Sequence, residues 1–148
     1  MLHVLRTRFA RRSAVTIHDL DLREAFPPRS GASLVLSALT LQFVPIEHRQ
    51  RVVSRAYEAL APGGALLLVG KVLGSTAAMH EALGTLYHRT KAANGYTAEQ
   101  IQRKALALDG VLVPVTADWN VQLLQAAGFR HVECYWRHLC FAAWIARK

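Results

Sequence analysis

Hydrophobic positions along the chain follow two different patterns, which predict strands and helices in alternation. Two apolar runs, residues 34–39 and 65–69, are bounded by turn signals, and the strand predicted from the second run extends to residue 72. Such runs are typical of parallel strands buried on both faces of a sheet. The segment 45–61 between them is amphipathic and predicts a helix, with Pro45 suited to its first turn. The inward positions of this helix are Val52, Val53, Tyr57 and Leu60.

The rest of the chain continues the alternation. Helical spacing of apolar residues predicts helices at 1–12, 76–93, 97–108 and 118–127, with a break at Asn94-Gly95 and a C-terminal glycine, Gly128, after the last of them. Strands are predicted at 14–22, 131–139 and 141–146, the last two pairing as a closing hairpin. The order predicts an α/β fold with a mostly parallel sheet and an antiparallel strand at its C-terminal end.

Composition narrows the class of protein. A chain of 148 residues with 52% hydrophobic residues predicts one packed domain. The net charge of +8 suits a polyanionic partner such as RNA, or simply an arginine-rich solvated surface, and both interpretations stay open. Cys134 and Cys140 form no CxxC pair, so we expect neither a metal site nor a disulfide, and a cytoplasmic location. No apolar run approaches the ~20 residues of a membrane span.

Three sequence strings carry a family resemblance: LTLQFVP (39–45), LAPGGAL (60–66) and KAANGYTAEQI (91–101). The second resembles the turn before the fifth strand of class I S-adenosylmethionine-dependent methyltransferases. The first and third resemble, more specifically, the carboxy-S-adenosylmethionine synthases, which make the carboxymethyl donor for wobble-uridine modification of tRNA. The likeness extends over almost the whole chain.

The resemblance implies a Rossmann-like methyltransferase fold lacking its first two strands and its glycine-rich loop. By this likeness the chain begins after the second strand, so the first helix and the ribose-binding acid are also missing. Only Gly31 precedes residue 60, and no GxG occurs anywhere in the chain. We therefore expect a single incomplete domain over 1–148, with a helical cap at 75–109 that also takes part in homodimer contacts.

The resemblance also assigns site residues. Asp21 and Leu22 fall where the family recognises the adenine of S-adenosylmethionine, and Ala38 falls where the family has an asparagine after the fourth strand. The alternative for Asp21 is a purely local role, in which its carboxylate hydrogen-bonds a loop. The sequence assigns no catalytic residue and no metal ligand.

Two further positions depart from the synthase pattern. Ala105 replaces the arginine that pairs with the transferred carboxylate, and Gly70 replaces a glutamate. A methyl group cannot substitute for a guanidinium–carboxylate pair. The first hypothesis is therefore methyl transfer, in the complete protein, to an acceptor that the sequence does not identify. A synthase-like role in tRNA modification is one alternative. An inactive remnant that acts only through protein association is another.

Aromatic and histidine residues add little chemistry. Trp119, Trp136 and Trp144 are interpreted as core or interface anchors rather than as platforms for base stacking. His80 and His88 share a helical face but lack a carboxylate or cysteine at ligand spacing, so they are not interpreted as a metal site.

Overall fold

A computed structural model describes residues 2–28 and 30–148 of the chain. Its elements follow in the order α1 (Leu2–Phe9), β1 (Ala32–Ala38), a 3-10 helix (Leu41–Phe43), α2 (Ile46–Ala59), β2 (Leu60–Lys71), α3 (Ala77–Ala93), α4 (Ala98–Leu108), α5 (Ala117–Ala126), β3 (His131–His138) and β4 (Phe141–Arg147). The α/β class predicted from the sequence is confirmed. Met1, the first residue of the predicted N-terminal helix, lies outside the described residues.

The four strands form one sheet in the order β1-β2-β4-β3. β1 and β2 are parallel and joined through α2, whereas β4 is antiparallel to both β2 and β3. A parallel pair needs such a crossover, since its two strands must start at the same edge of the sheet. The predicted antiparallel strand at the C-terminal end is thus confirmed, as is the closing hairpin.

One face of the sheet carries the core. Leu66 and Leu68 of β2 and Trp144 of β4 point to this face and are buried against α2 and α5. The face of α2 that meets them is the predicted one, with Val52 and Val53 buried. α5 ends at Ala126, and Gly128 follows with φ +108°, the left-handed conformation expected after a helix.

The opposite face of the sheet is open along β1. Leu34 and Leu36 are 53% and 62% exposed, and their register partners on β2 are Ala65 and Leu67. The prediction that the run 34–39 is buried on both faces is therefore wrong for the described residues. No described helix covers this face beside β1, and β1 has a hydrogen-bonded neighbour on one side only.

The predicted strand at 14–22 is also wrong. The described residues there form a non-helical segment that runs into a turn at residues 22–24 and pairs with no strand. Its β-branched residues, Val15, Thr16 and Ile17, favour extended backbone, but a strand forms only where a neighbour supplies the ladder hydrogen bonds. The free edge of β1, to which such a strand could pair, is unpaired instead.

The region 72–115 is a helical excursion. The chain leaves the sheet at Val72 and returns beside it at Val115, and a single parallel bridge joins these two residues. α3 begins after Thr76, whose hydroxyl accepts from the Met79 N–H, and α4 begins at a capping box formed by Thr97 and Gln100. Both helices and the break near Asn94-Gly95 match the prediction, and neither helix has a buried residue. None of the described helices combines the length and hydropathy that crossing a membrane requires.

Candidate functional site

The carboxyl ends of β1 and β2 lie side by side at one edge of the sheet. In open α/β sheets, ligands bind beyond this edge. Ala38, the last residue of β1, is paired with Val69, and Lys71 ends β2. Leu39 follows Ala38 with φ +55° while its N–H still donates to the Val69 carbonyl at 2.8 Å. A leucine in this conformation is strained, and such strain concentrates at functional edges.

Gln42 joins the ends of the two strands. Its side-chain Oε1 accepts from the Lys71 N–H at 2.7 Å, and its side chain is buried. Its own carbonyl accepts from the Val113 N–H at 3.0 Å. The glutamine of the LTLQFVP string thus fixes the loop after β1 to both β2 and the segment before α5.

Arg49 of α2 also binds the loop after β1. It is 1% exposed, and its guanidinium donates to the carbonyls of Val44 at 2.7 Å, Val113 at 2.7 Å and Gln42 at 3.3 Å. The guanidinium also lies 5.9 Å from the ring of Trp119. No described carboxylate pairs with it, and burial lowers the pKa of the Arg49 side chain. Arg49 is therefore a structural clamp satisfied by carbonyl dipoles.

Asp21 lies in a turn and binds Arg23. The Arg23 side chain donates from Nε at 2.9 Å and from NH2 at 2.6 Å to Oδ2, and the Arg23 N–H donates to Oδ1 at 2.8 Å. These bonds lower the pKa of Asp21 to about 2. The local role that the sequence left open for Asp21 is thus present. Recognition of adenine by Asp21 stays a prediction, and it would require Arg23 to release the carboxylate.

The turn that contains Asp21 is fastened to α2. Arg51 donates to the carbonyl of Arg23, and Arg55 donates to the carbonyl of Glu24 at 2.9 Å. Next to Asp21, Leu22 packs against the core and lines an apolar cavity of about 230 Å³. Other residues lining this cavity are Phe26, Val35, Ser37, Thr40 and Val53.

The three residues assigned to the cofactor differ in their surroundings. Leu22 and Ser37 both line the apolar cavity, so the turn at residues 22–24 lies beside the carboxyl half of β1. Ala38 is exposed on the other side of β1, and its carbonyl accepts from the Thr40 hydroxyl at 3.1 Å. It does not line the cavity. Ala105 lies on an exposed position of α4.

The roles of Gln42 and Arg49, and the packing of lysine side chains against the Tyr87 ring, were not predicted from the sequence. A signal for Arg49 was present, because positions 49, 52, 53 and 56 follow helical spacing and place an arginine on the apolar face of α2. Gln42, Lys71 and Lys91 stand in or beside strings that were used only as family signatures.

The fold is that of class I methyltransferases. The crystal structure of human N-acetylserotonin methyltransferase in complex with S-adenosylmethionine matches 99% of this chain and 37% of that chain, with a TM-score of 0.63 and 17% identity. The pyocyanin biosynthetic protein PhzM matches 99% of this chain and 40% of its own, with a TM-score of 0.68 and 16% identity. No protein-family model matches the chain.

The sequence relatives are more specific. The carboxy-S-adenosyl-L-methionine synthase of Staphylococcus epidermidis is 38% identical over 119 residues, which cover 80% of this chain and 52% of the relative. That of Methylococcus capsulatus is 40% identical over 136 residues, which cover 92% and 56%. The chain thus has a class I methyltransferase fold and is related to the carboxy-S-adenosylmethionine synthases, which confirms the resemblance. It spans about half the length of the curated relatives it matches.

Proposed function

We propose that this chain is the C-terminal half of an S-adenosylmethionine-dependent transferase domain, active only when a further strand and helix layer completes its sheet. The observation that carries the proposal is the unpaired β1. β1 is a parallel strand, and parallel strands in α/β proteins are covered on both faces. Here its outward face and its free edge are both open.

The open face is apolar along several strands. Besides Leu34 and Leu36, it carries Ile145 on β4, which is 39% exposed and pairs with Leu67. Exposed apolar surface of this kind marks a site of association, and an uncovered strand edge is a template for a further strand. Completion by a strand–loop–helix segment would cover both features at once.

The described residues fit only part of the proposed cofactor. Leu22 and the apolar cavity offer a surface for the adenine ring. Asp21, the preceding residue, would bind the exocyclic amine once Arg23 releases its carboxylate. Ala38 marks the strand end. The glycines with positive φ nearest to β1 and β2, Gly31 and Gly63, lie at the amino ends of these strands. Among the described residues, no glycine with positive φ lies at the carboxyl ends of β1 and β2, so the proposal assigns the backbone cradle to the completing segment.

Two reactions are compatible with such a domain. Identities of 34–42% to carboxy-S-adenosylmethionine synthases favour a synthase-like role in tRNA modification. Ala105 favours plain methyl transfer, because nothing at that position can bind a carboxylate. We propose methyl transfer as the first reaction and the synthase reaction as the alternative. The free thiols of Cys134 and Cys140 suit a reducing, cytoplasmic location.

A second candidate function is association alone, in which the open face binds a partner chain and no cofactor is bound. The same exposed leucines favour it. The two functions differ in what completes β1, because the enzyme needs a parallel strand that carries a glycine-rich loop.

The experiment is a graft followed by amide hydrogen exchange. The first strand, glycine loop, first helix and second strand of a carboxy-S-adenosylmethionine synthase are fused ahead of this chain, and exchange at β1 is compared with that of the 148-residue chain. We expect the β1 amides on the free edge to become protected only in the graft. Protection that is unchanged by the graft, with a folded product, would count against completion by this segment.

A further inference from the structure

Lysine is scarce in this protein and is concentrated around one tyrosine. Of the 18 basic residues only four are lysines, and the others are arginines. Two of the four lysines, Lys71 and Lys91, lie against the Tyr87 ring. Lys104 is near enough to Lys91 for its charge to act on that side chain, and we call Lys71, Lys91 and Lys104 the lysine cluster.

The geometry of the cluster is set by three elements. Lys91 lies one turn after Tyr87 on α3, and its Nζ is 4.5 Å from the centre of the Tyr87 ring. Lys71, at the end of β2, places its Nζ 5.8 Å from the same ring. The ring is held in place by an edge-on contact with Phe141, at 5.4 Å between centroids. Lys71, Tyr87 and Lys91 are all half-buried.

No described carboxylate forms an ion pair with the cluster. Within residues 2–28 and 30–148, the ion pairs are Arg6–Asp19 and Arg23–Asp21, and neither involves a lysine. The fourth lysine shows the contrast: Lys148 Nζ donates to the carbonyls of Tyr57 and Leu60, both at 2.7 Å. In the described residues, the lysine-cluster ammonium groups and the Tyr87 hydroxyl make no such bond.

The neighbouring charges act on Lys91. Burial is the main cause that lowers the pKa of Lys91, and the positive charges of Lys104 and Lys71 lower it further, whereas the nearby Cys140 side chain acts in the opposite direction. The Tyr87 ring offsets part of this cost, since its π face attracts ammonium groups. Half-buried like charges are otherwise unfavourable, and an anion among them removes the repulsion.

We propose that Lys71 and Lys91 on the Tyr87 ring, with Lys104 near Lys91, form a binding site for a small oxyanion-bearing ligand, either a carboxylate or a phosphate. Ammonium groups bind both as compact point charges. Lys71 places the site at the carboxyl edge of the sheet, beneath the α3–α4 excursion. The half-buried setting favours a small ligand over a nucleic-acid backbone. This inference goes beyond the proposed function and does not rest on it.

The test uses the ¹⁵N-labelled 148-residue chain at low ionic strength, where exposed charges are least screened. Inorganic phosphate and malonate are titrated separately, and amide shifts near Tyr87 and Lys91 are followed. We expect saturable shifts at the lysine cluster, and the tighter of the two anions identifies the ligand class. Lys91→Gln is expected to weaken that binding about tenfold, the equivalent of about 1.4 kcal/mol.

Arg89→Gln is the matched control, because it removes one exposed charge from the same helix and should change the affinity less than twofold. If Lys91→Gln does not fold, Lys104→Gln on the exposed side of α4 takes its place. Equal losses in the control and the cluster variant would overturn the proposal. So would an absence of saturable shifts with both anions, or shifts seen only with an oligouridylate.

Discussion

The side chain of Gln42 and the backbone of Lys71 are joined by a 2.7 Å hydrogen bond that connects the loop after β1 to the last residue of β2. It accounts for a glutamine in a mostly apolar string, because a half-buried N–H at a strand end needs an acceptor. The bond also fixes the backbone position from which the Lys71 side chain extends to the Tyr87 ring.

Gln42→Leu should therefore destabilise the fold by roughly 1 kcal/mol, because the half-buried Lys71 N–H loses its acceptor. Urea unfolding followed by circular dichroism measures the difference. Gln122→Leu, the same change at an exposed position of α5, is the control and should cost far less. Equal losses in the two variants would show that the Gln42 bond contributes nothing measurable.

Arg49→Lys tests the buried clamp. A lysine cannot reach three carbonyls in the fork geometry of a guanidinium, so at least one buried carbonyl loses its donor. We expect a loss of roughly 2–3 kcal/mol in the free energy of unfolding. Arg137→Lys, on an exposed position of β3, should leave stability nearly unchanged. A stable Arg49→Lys variant would contradict the role assigned to Arg49.

The Asp21–Arg23 pair predicts the pH at which the Asp21 carboxyl group titrates. The pKa of Asp21 is about 2, below its ordinary value of 3.8, because Arg23 donates to the carboxylate. The contribution of the pair to stability is therefore present above pH 3.8 and is lost as the pH falls through 2. Carboxyl NMR shifts should show the midpoint rising toward 3.8 in Arg23→Ala. Arg130→Ala should leave it near 2, and an unmoved midpoint in Arg23→Ala would refute the assignment.

Self-association is expected through α3 and α4. Met79 and Leu86 on α3 are exposed apolar residues. Analytical ultracentrifugation should show a dimer that Leu86→Glu weakens. Leu36→Glu, on the open sheet face, separates the two surfaces: if it alone abolishes the dimer, the α3–α4 contact is wrong.

Periodicity predicted most of the elements, as in β2, where alternate residues are buried, and in α2, where the buried residues follow helical spacing. It failed where the structure of a segment depends on whether a neighbouring strand or a covering layer is present. Residues 14–22 have strand-forming side chains but no neighbouring strand, and β1 is apolar on both faces yet covered on one. The capture of Asp21 by Arg23 depends on the local turn, which the residue types alone did not specify.

The choice between the two reactions rests on Ala105. In the grafted protein, Ala105→Arg should add synthesis of the carboxylated cofactor, detected by mass spectrometry, while the graft without this change should form none. Ala105→Lys, with a charge but no fork, is the control and should be less effective. Carboxylated cofactor made by the unchanged graft would make the synthase role the better assignment.

Calorimetric titration of S-adenosylmethionine into the 148-residue chain and into the graft tests whether β1 must be completed before the cofactor binds. We expect negligible binding to the chain alone, because its described residues offer only the adenine end of a site, and measurable binding to the graft. Asp21→Ala should weaken binding to the graft by on the order of 1 kcal/mol or more. Binding to the chain alone with a dissociation constant in the low micromolar range would contradict the account.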